Sequence, residues 1–296
     1  MRKIIAYLLY YIFFFKIKKE TRKCDRILSI YGHNPSRNSF EELMKWFIDH
    51  NYHFVTLDEL YAYLNGSELD TKKNVWLSFD DGWKSNYDNV FPVLKKYKIP
   101  ATIFIATKGI QDGFFWFNKA FQNRQSPFYK EVQELWEMSN VDRIKIISKL
   151  EIDIKQRFTM IPKELSEMEQ SGLISWGNHT HDHVMSDKCS ENELKEEIQK
   201  CSSLMKEWTG DNVDFIYSYP NGNKDDLSIK VIKEMDFALA ASTFLGSIHH
   251  DTDRYMLPRN EFKDNASLME NILQSYGLWT PFFNNIKHVF CIRNKK

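Results

Sequence analysis

Two carboxylates stand side by side at Asp80 and Asp81, directly after the apolar run Val75-Trp76-Leu77-Ser78-Phe79 and before Gly82. Much further along, three imidazoles fall within five positions in Gly177-Asn178-His179-Thr180-His181-Asp182-His183. Neighbouring Asp side chains repel each other unless something positive lies between or beside them. Imidazoles with a carboxylate suit zinc or a similar divalent ion, and three such ligands leave a position open for water. On that chemistry Asp81, His179 and His183 are expected to share one divalent metal ion, with Asp80 free to move a proton. A spacing of four puts His179 and His183 on one face of a helix or tight turn; His181 then points elsewhere, as a structural or solvent-facing residue. Each cluster has a plain alternative: an Asp-Asp-Gly turn or cap for the first, a chance or pH-sensitive surface patch for the second. Their joint placement, each at the end of an apolar strand, favours the metal site.

The elements that must position these groups alternate between strand and helix. Arg26 to Tyr31 reads as a first strand, and Ser39 with Glu42 as a capping box opening a helix whose apolar face is Phe40, Leu43, Phe47 and Ile48. His53 to Thr56 is a second strand, followed by a Thr56–Glu59 capping box and a helix that stops near Gly66. After the Asp-Asp strand comes a helix bent or restarted at Pro92, then the buried strand Ala101 to Ala106. Residues 110–160 read as helices inserted between core elements. Leu173 to Trp176 delivers the histidines, and Ser190 with Glu193 caps a helix bearing Leu194, Ile198, Cys201, Leu204, Met205 and Trp208 on one side. Phe215 to Tyr219 is a strand running into the turn Pro220-Asn221-Gly222, and a helix over 227–235 leads to the strand Ala238 to Thr243. Repeated β-then-α units imply an α/β parallel sheet or barrel with its reactive groups at the carboxyl ends of the strands.

Composition sets broad limits on function. The chain has 296 residues, 43% of them hydrophobic, enough for a substantial core. Its 40 basic and 40 acidic side chains cancel, so no overall field points to nucleic acid, and none is expected as a partner. The four cysteines, Cys24, Cys189, Cys201 and Cys291, lie far apart with no CxxC spacing and are expected as isolated reduced thiols. Residues 1–23 differ from the rest. Arg2 and Lys3 precede the apolar run Ile4 to Phe15, and Lys16, Lys18, Lys19, Arg22 and Lys23 follow. That run is short of the roughly 20 residues a spanning helix needs, and no small-x-small cleavage site follows it. A helix lying in a membrane interface fits better than an ordinary helix packed on the body. The chain thus divides into this segment and one catalytic domain over 24–296. It is expected at a membrane surface or in the cytoplasm rather than secreted or periplasmic.

Ser78-Phe79-Asp80-Asp81-Gly82 and His179-Thr180-His181-Asp182-His183 resemble the first two motifs of the polysaccharide deacetylase family, which includes chitin-oligosaccharide and peptidoglycan deacetylases. The resemblance runs over most of the chain from about residue 26 and takes in Lys98-Ile99-Pro100-Ala101-Thr102-Ile103-Phe104. It implies a distorted (β/α) barrel, usually of seven parallel strands, and metal-dependent removal of N- or O-acetyl groups from sugars. By position it makes Asp80 the general base and Asp81, His179 and His183 the ligands, with Thr180 holding the loop.

The later motifs depart from the family pattern. Where members often carry Arg-x-Pro-Tyr/Phe-Gly, this chain has Ser218-Tyr219-Pro220-Asn221-Gly222, similar to a branch with Tyr-Pro-x-Gly. The backbone N–H at Asn221 is expected to help bind the oxyanion and Tyr219 to contact substrate. Arg259, in Leu257-Pro258-Arg259, is the candidate to orient Asp80 in place of the missing Arg. The family's Leu-x-Leu-His general acid is not evident; His33, His249, His250 and His288 are the histidines that lack its context. The resemblance implies N-deacetylation of an acetylated bacterial surface polysaccharide or its precursor. A catalytically silent glycan-binding relative and another metal-dependent amidase are the competing classes.

Overall fold

Runs of β-branched and aromatic residues bounded by turn formers become short parallel strands. In the computed structural model, which describes residues 2–20, 26–153, 155–210 and 215–282, these are β1 (Ile27–Gly32), β2 (His53–Phe54), β3 (Asn74–Phe79), β4 (Ala101–Ile105), β5 (Ile174–Asn178), β6 (Ile216–Ser218), β7 (Leu239–Ala241), β8 (Ser247–Ile248) and β9 (Asn260–Glu261). The main path is β7-β6-β5-β4-β3-β1-β8, with β2 beside β3 and β9 beside β1. Every pairing is parallel except that of β1 with β8.

The two ends of this curled sheet are joined by one short stretch. Leu257 bridges to Ala241 of β7, and its N–H donates to the Ala240 carbonyl at 2.9 Å. A few residues later Asn260 and Glu261 register against Ile30 and Tyr31 of β1. The fold is therefore the expected α/β type, a distorted (β/α) barrel with inserted helices, and residues 257–261 are its closing strand.

Period-two alternation explains how a buried strand ends in polar chemistry. Along β3, Val75, Leu77 and Phe79 pack outward with Ile103, Ile105 and the helix residues Phe40, Leu43 and Phe47. Trp76 faces the other way, among Phe104, Ile216, Leu239 and Leu257. Its indole N–H donates to Thr102 Oγ1 at 3.0 Å. Two residues on, Ser78 takes the same face, and two further on, Asp80 does.

Helix starts follow the capping rules with one shift. The Thr56–Glu59, Ser190–Glu193 and Asp225–Ser228 pairs all form reciprocal caps. The helix expected from Ser39 instead starts three residues earlier, as Arg37–Asp49 with Ser36 at the N-cap. Ser36 spends its hydroxyl on Asp264, at 2.6 Å, so a tertiary bond displaces the local box. Pro92 sits at the second position of the helix Phe91–Tyr97, which continues a π-helical stretch, Asn86–Val90. The inserted region forms the helices Thr107–Asp112, Trp116–Gln122, Val132–Trp136 and Asn140–Ile147 around their own core of Phe115, Trp116, Leu135 and Ile147.

The N-terminal helix Arg2–Glu20 packs Ala6 and Leu9 against Leu273 and Trp279, and Arg2 pairs with Glu270. Its other side leaves Ile4, Tyr7, Leu8, Tyr11 and Ile12 more than half exposed. Among the described residues no helix is long and apolar enough to cross a membrane. Cys189 and Cys201 are buried free thiols, whereas Cys24, Cys291 and His288 lie outside the described residues.

Candidate active site

The carboxyl ends of β1, β3, β5 and β6 converge on one cluster. Asp80 and Asp81 leave β3 through a sharp turn in which Asp81 takes a φ of 77° and Gly82 one of 92°. A Cβ at Gly82 would sit 2.9 Å from the Ile105 side chain, so this position combines a left-handed backbone with a close approach that only glycine meets. The histidine loop leaves β5 without forming a helix. It bends through positive φ at Thr180 and His183, 66° and 47°. Asn178 Oδ1 accepts from the Thr180 N–H at 2.9 Å, and Thr180 Oγ1 accepts from the Val184 N–H at 3.0 Å. These two bonds pin the loop, as the family position of Thr180 implied.

The turn brings together the three expected ligands. Asp81 Oδ1 lies 3.3 Å from His179 Nε2 and 3.2 Å from His183 Nε2, and ligand atoms from all three residues fall within 4.8 Å of one another. The His179 Nδ1 is 2.8 Å from the Ser218 carbonyl. A carbonyl only accepts, so Nδ1 carries a proton, and the ring turns Nε2 toward Asp81. Trp83 donates its indole N–H to Asp81 Oδ2 at 2.7 Å, yet Asp81 Oδ1 is buried with no hydrogen-bond partner. A carboxylate oxygen and two imidazole nitrogens that meet out of water form a donor set that fits a divalent ion. Burial would raise the Asp81 carboxyl, but the two imidazoles hold it well below the usual carboxylate range. His183 is pushed down by burial, against the pull of Asp81.

Asp80 is held differently. Arg259 reaches from the closing strand and grips it with both arms, Nη1 to Oδ1 at 2.7 Å and Nη2 to Oδ2 at 2.8 Å. The guanidinium is fully buried. It also donates from Nε to the Ser242 carbonyl at 2.9 Å and from Nη2 to Ser218 Oγ at 2.9 Å, and it lies 4.4 Å from the Tyr31 ring centre. Burial pushes the Asp80 pKa up, and Arg259, seconded by His179, more than reverses it. Arg259 thus stands at Asp80, where the expectation put a substitute for the Arg absent from the third motif. Ser218, at that motif's first position, serves as a hub: its hydroxyl holds Arg259 and its carbonyl holds His179.

The other expected residues fall out unevenly. Asn221 is exposed at the tip of the turn after β6, with a φ of 57°. Tyr219 does not meet its expected role at the substrate. Its side chain is completely buried among Val184, Tyr217 and Phe237, and its hydroxyl donates to the Tyr255 carbonyl at 3.2 Å. The reason is strand parity, since Ser218 takes the site-facing position and its neighbour must point outward. His181 is structural and buried. Its Nδ1 bonds Thr107 Oγ1 at 2.9 Å, and burial pushes its pKa down to about 4. His33, at the end of β1, bears electrostatically on both Asp80 and Asp81, whereas His250 stacks on Tyr63.

The chain is similar to several known proteins. The family described as polysaccharide deacetylase matches residues 68–240. The poly-β-1,6-N-acetyl-D-glucosamine N-deacetylase of Staphylococcus aureus strain MSSA476 is 28% identical over 264 residues, covering 86% of this chain and 74% of the relative. Its counterpart from Staphylococcus epidermidis is 26% identical over 238 residues, covering 78% and 68%. Among solved structures, the Streptococcus pyogenes deacetylase PplD in complex with acetate superposes with a TM-score of 0.63 at 21% identity, covering 84% of this chain and 96% of that one. IcaB from Ammonifex degensii gives 0.60 at 21% identity, covering 85% and 98%. The chain belongs to the polysaccharide deacetylase family of carbohydrate-deacetylating enzymes.

Proposed function

We propose that the protein removes N-acetyl groups from a bacterial surface polysaccharide built of N-acetylhexosamine units, with a β-1,6-linked N-acetylglucosamine polymer as the leading substrate. The observation that carries this reading is the pairing of two buried carboxylates in contrasting states, Asp80 locked by Arg259 and Asp81 open toward His179 and His183. The curated relatives named for that substrate support the choice of glycan.

Asp81, His179 and His183 would hold a divalent ion, zinc by the chemistry of the donor set. Such an ion supplies a Lewis acid and lowers the pKa of a water from 15.7 to about 7. Asp80 is the general base: it takes the proton of the attacking water, and Arg259 fixes which way its oxygens face. The Asn221 N–H, at the end of the strand that also presents Ser218, donates to the developing oxyanion. His33, just after β1, which pairs with β3, is the histidine we assign to give the proton that the departing amine requires. In that role His33→Ala slows amide cleavage far more than cleavage of an acetyl ester with a good leaving group. Equal slowing of both would remove it from the mechanism.

Residues 24–296 act as one catalytic unit, and residues 1–23 bring it to a membrane surface. The exposed Ile4, Tyr7, Leu8, Tyr11 and Ile12, on a helix whose opposite side packs on the body, support this location. Wild type should sediment with lipid vesicles, and a variant with polar residues at Tyr7, Tyr11 and Ile12 should stay in the supernatant. Acetate release from β-1,6-linked N-acetylglucosamine oligomers by zinc-loaded protein tests the activity itself. Tight ion binding without acetate from any acetylated glycan would favour a silent glycan-binding relative. Release of acetate only from non-sugar amides would favour a different amidase.

A further inference from the structure

Two asparagines just beyond the Asp80-Asp81-Gly82 turn hold the loop that carries His33. Asn86 donates from Nδ2 to the His33 carbonyl at 2.8 Å, and Asn89 from Nδ2 to the Pro35 carbonyl at 3.0 Å. The loop is tied on its other side as well, where the Ser36 N–H donates to Asp264 Oδ1 at 2.8 Å. His33 therefore stands in a loop clasped between the stretch after β3 and the stretch after β9. Its ring meets the Tyr31 ring edge-on, with centres 5.6 Å apart, and Tyr31 carries over its face the Arg259 guanidinium that grips Asp80.

Both asparagines belong to the π-helical stretch Asn86–Val90, where the Phe91 N–H donates to the Asn86 carbonyl five residues back. Pro92 accounts for this wide turn. It has no N–H for the Asp88 carbonyl, and in an ordinary helix its ring would crowd that carbonyl. Such turns are uncommon and gather at functional sites. Asn86 is completely buried, and its Oδ1 has no partner among the described residues. A lone buried acceptor costs at least as much as one buried hydrogen bond contributes, so this amide adds nothing net to stability. What it supplies is a fixed place for the His33 backbone.

We propose that Asn86 and Asn89 are positioning residues, which aim His33 so that its imidazolium hands a proton to the amine nitrogen as the C–N bond of the substrate breaks. The proposal rests on the deacetylase reading above and on His33 as the proton donor. One continuous segment, 80–89, then presents the two carboxylates and also sets the distance from them to the acid.

The test compares acetate release from a β-1,6-linked N-acetylglucosamine pentamer with hydrolysis of 4-nitrophenyl acetate, whose leaving group needs no proton. Asn86→Leu, close in shape and without the donor, should lower kcat for the pentamer about tenfold with KM nearly unchanged, and slow the ester far less. Asn89→Ala, at a half-buried position that threatens folding less, should show the same split on a smaller scale, about threefold. In a His33→Ala background neither substitution should slow the pentamer further, because the group that they aim is gone. Equal losses on pentamer and ester, or losses that multiply with that of His33→Ala, would overturn the proposal. So would a pentamer kcat unchanged in the folded variants. If wild type releases no acetate from the pentamer, the deacetylase reading of that glycan fails on its own. Histidine-selective isotope labelling and NMR then decide the positioning: a His33 ring resonance moved or broadened in Asn89→Ala supports it, and one left in place sinks it.

Discussion

Asp80 and Asp81 are neighbours in sequence and equally buried, each 3% exposed, yet they are in opposite states. Both oxygens of Asp80 accept from one guanidinium that belongs to the fold. Asp81 has one oxygen tied to Trp83 and the other aimed at two imidazoles with nothing between. The difference separates a group finished by folding from a group that folding leaves ready for a visitor. Asp80 has its partner before any ligand arrives, whereas Asp81 keeps an oxygen for the divalent ion proposed above.

Variants that treat the two carboxylates alike should therefore fail differently. Asp81→Ala should abolish both zinc binding and acetate release, since losing the ion removes several kcal/mol of transition-state stabilisation, on the order of a thousandfold in rate. Asp80→Asn should bind zinc as tightly as wild type and lose about 10²- to 10⁴-fold in kcat. Equal zinc loss in both variants, read by calorimetry, would collapse the contrast.

Arg259→Met comes next. It leaves a carboxylate buried without its partner, and chemical denaturation should register about 3–5 kcal/mol of lost stability. Because Arg259 holds the Asp80 pKa below its ordinary 3.8, the stability from this pair is whole above that value. It drains only as the pH falls through the lowered one, so the deficit of the variant should be full at neutral pH and shrink in acid. A deficit that grew in acid would mean that Asp80 is not the group responsible.

Zinc should stabilise wild type by about 2.7 kcal/mol at a hundredfold excess over its Kd, a gain kept in Asp80→Asn and absent in Asp81→Ala. The smallest effect is Ser218→Ala, about 1 kcal/mol from one buried hydrogen bond to Arg259. Its loss of activity should exceed that of any similarly buried serine outside the cluster, such as Ser186, whose hydroxyl pairs with Tyr217.

Contiguity decided what could be read from the residues alone. The Asp-Asp-Gly turn and the histidine loop each sit in a few consecutive positions at the end of an apolar strand, so type and spacing sufficed. The parallel α/β alternation was equally plain, because its strands are buried on both faces and its helices carry local caps. The Asp80–Arg259 bond joins residues 179 positions apart and became visible only through the Leu-Pro-Arg resemblance. The Ser218 hub had no local signal, for its value lies in what two other strands bring to it. Tyr219 was misjudged because motif membership says nothing about strand parity. The closing strand was missed for want of length: β8 and β9 have two residues each, too few to display a period. Residues 110–160 yielded only their helical character, since their core forms among themselves and not against the sheet.

The closing strand has a consequence for how the enzyme comes into being. The stretch that seals the barrel between β7 and β1 is also the one that carries Arg259 to Asp80. A nascent chain still lacking residues 257–261 has Asp80, Asp81, His179 and His183 already synthesised, but its Asp80 lacks Arg259 and its sheet has open edges. On the roles proposed above, catalytic competence would then arrive in a single late step of synthesis, together with the seal that protects those edges from pairing with other chains. On the same roles, an unfinished chain would be a poor deacetylase without any inhibitor.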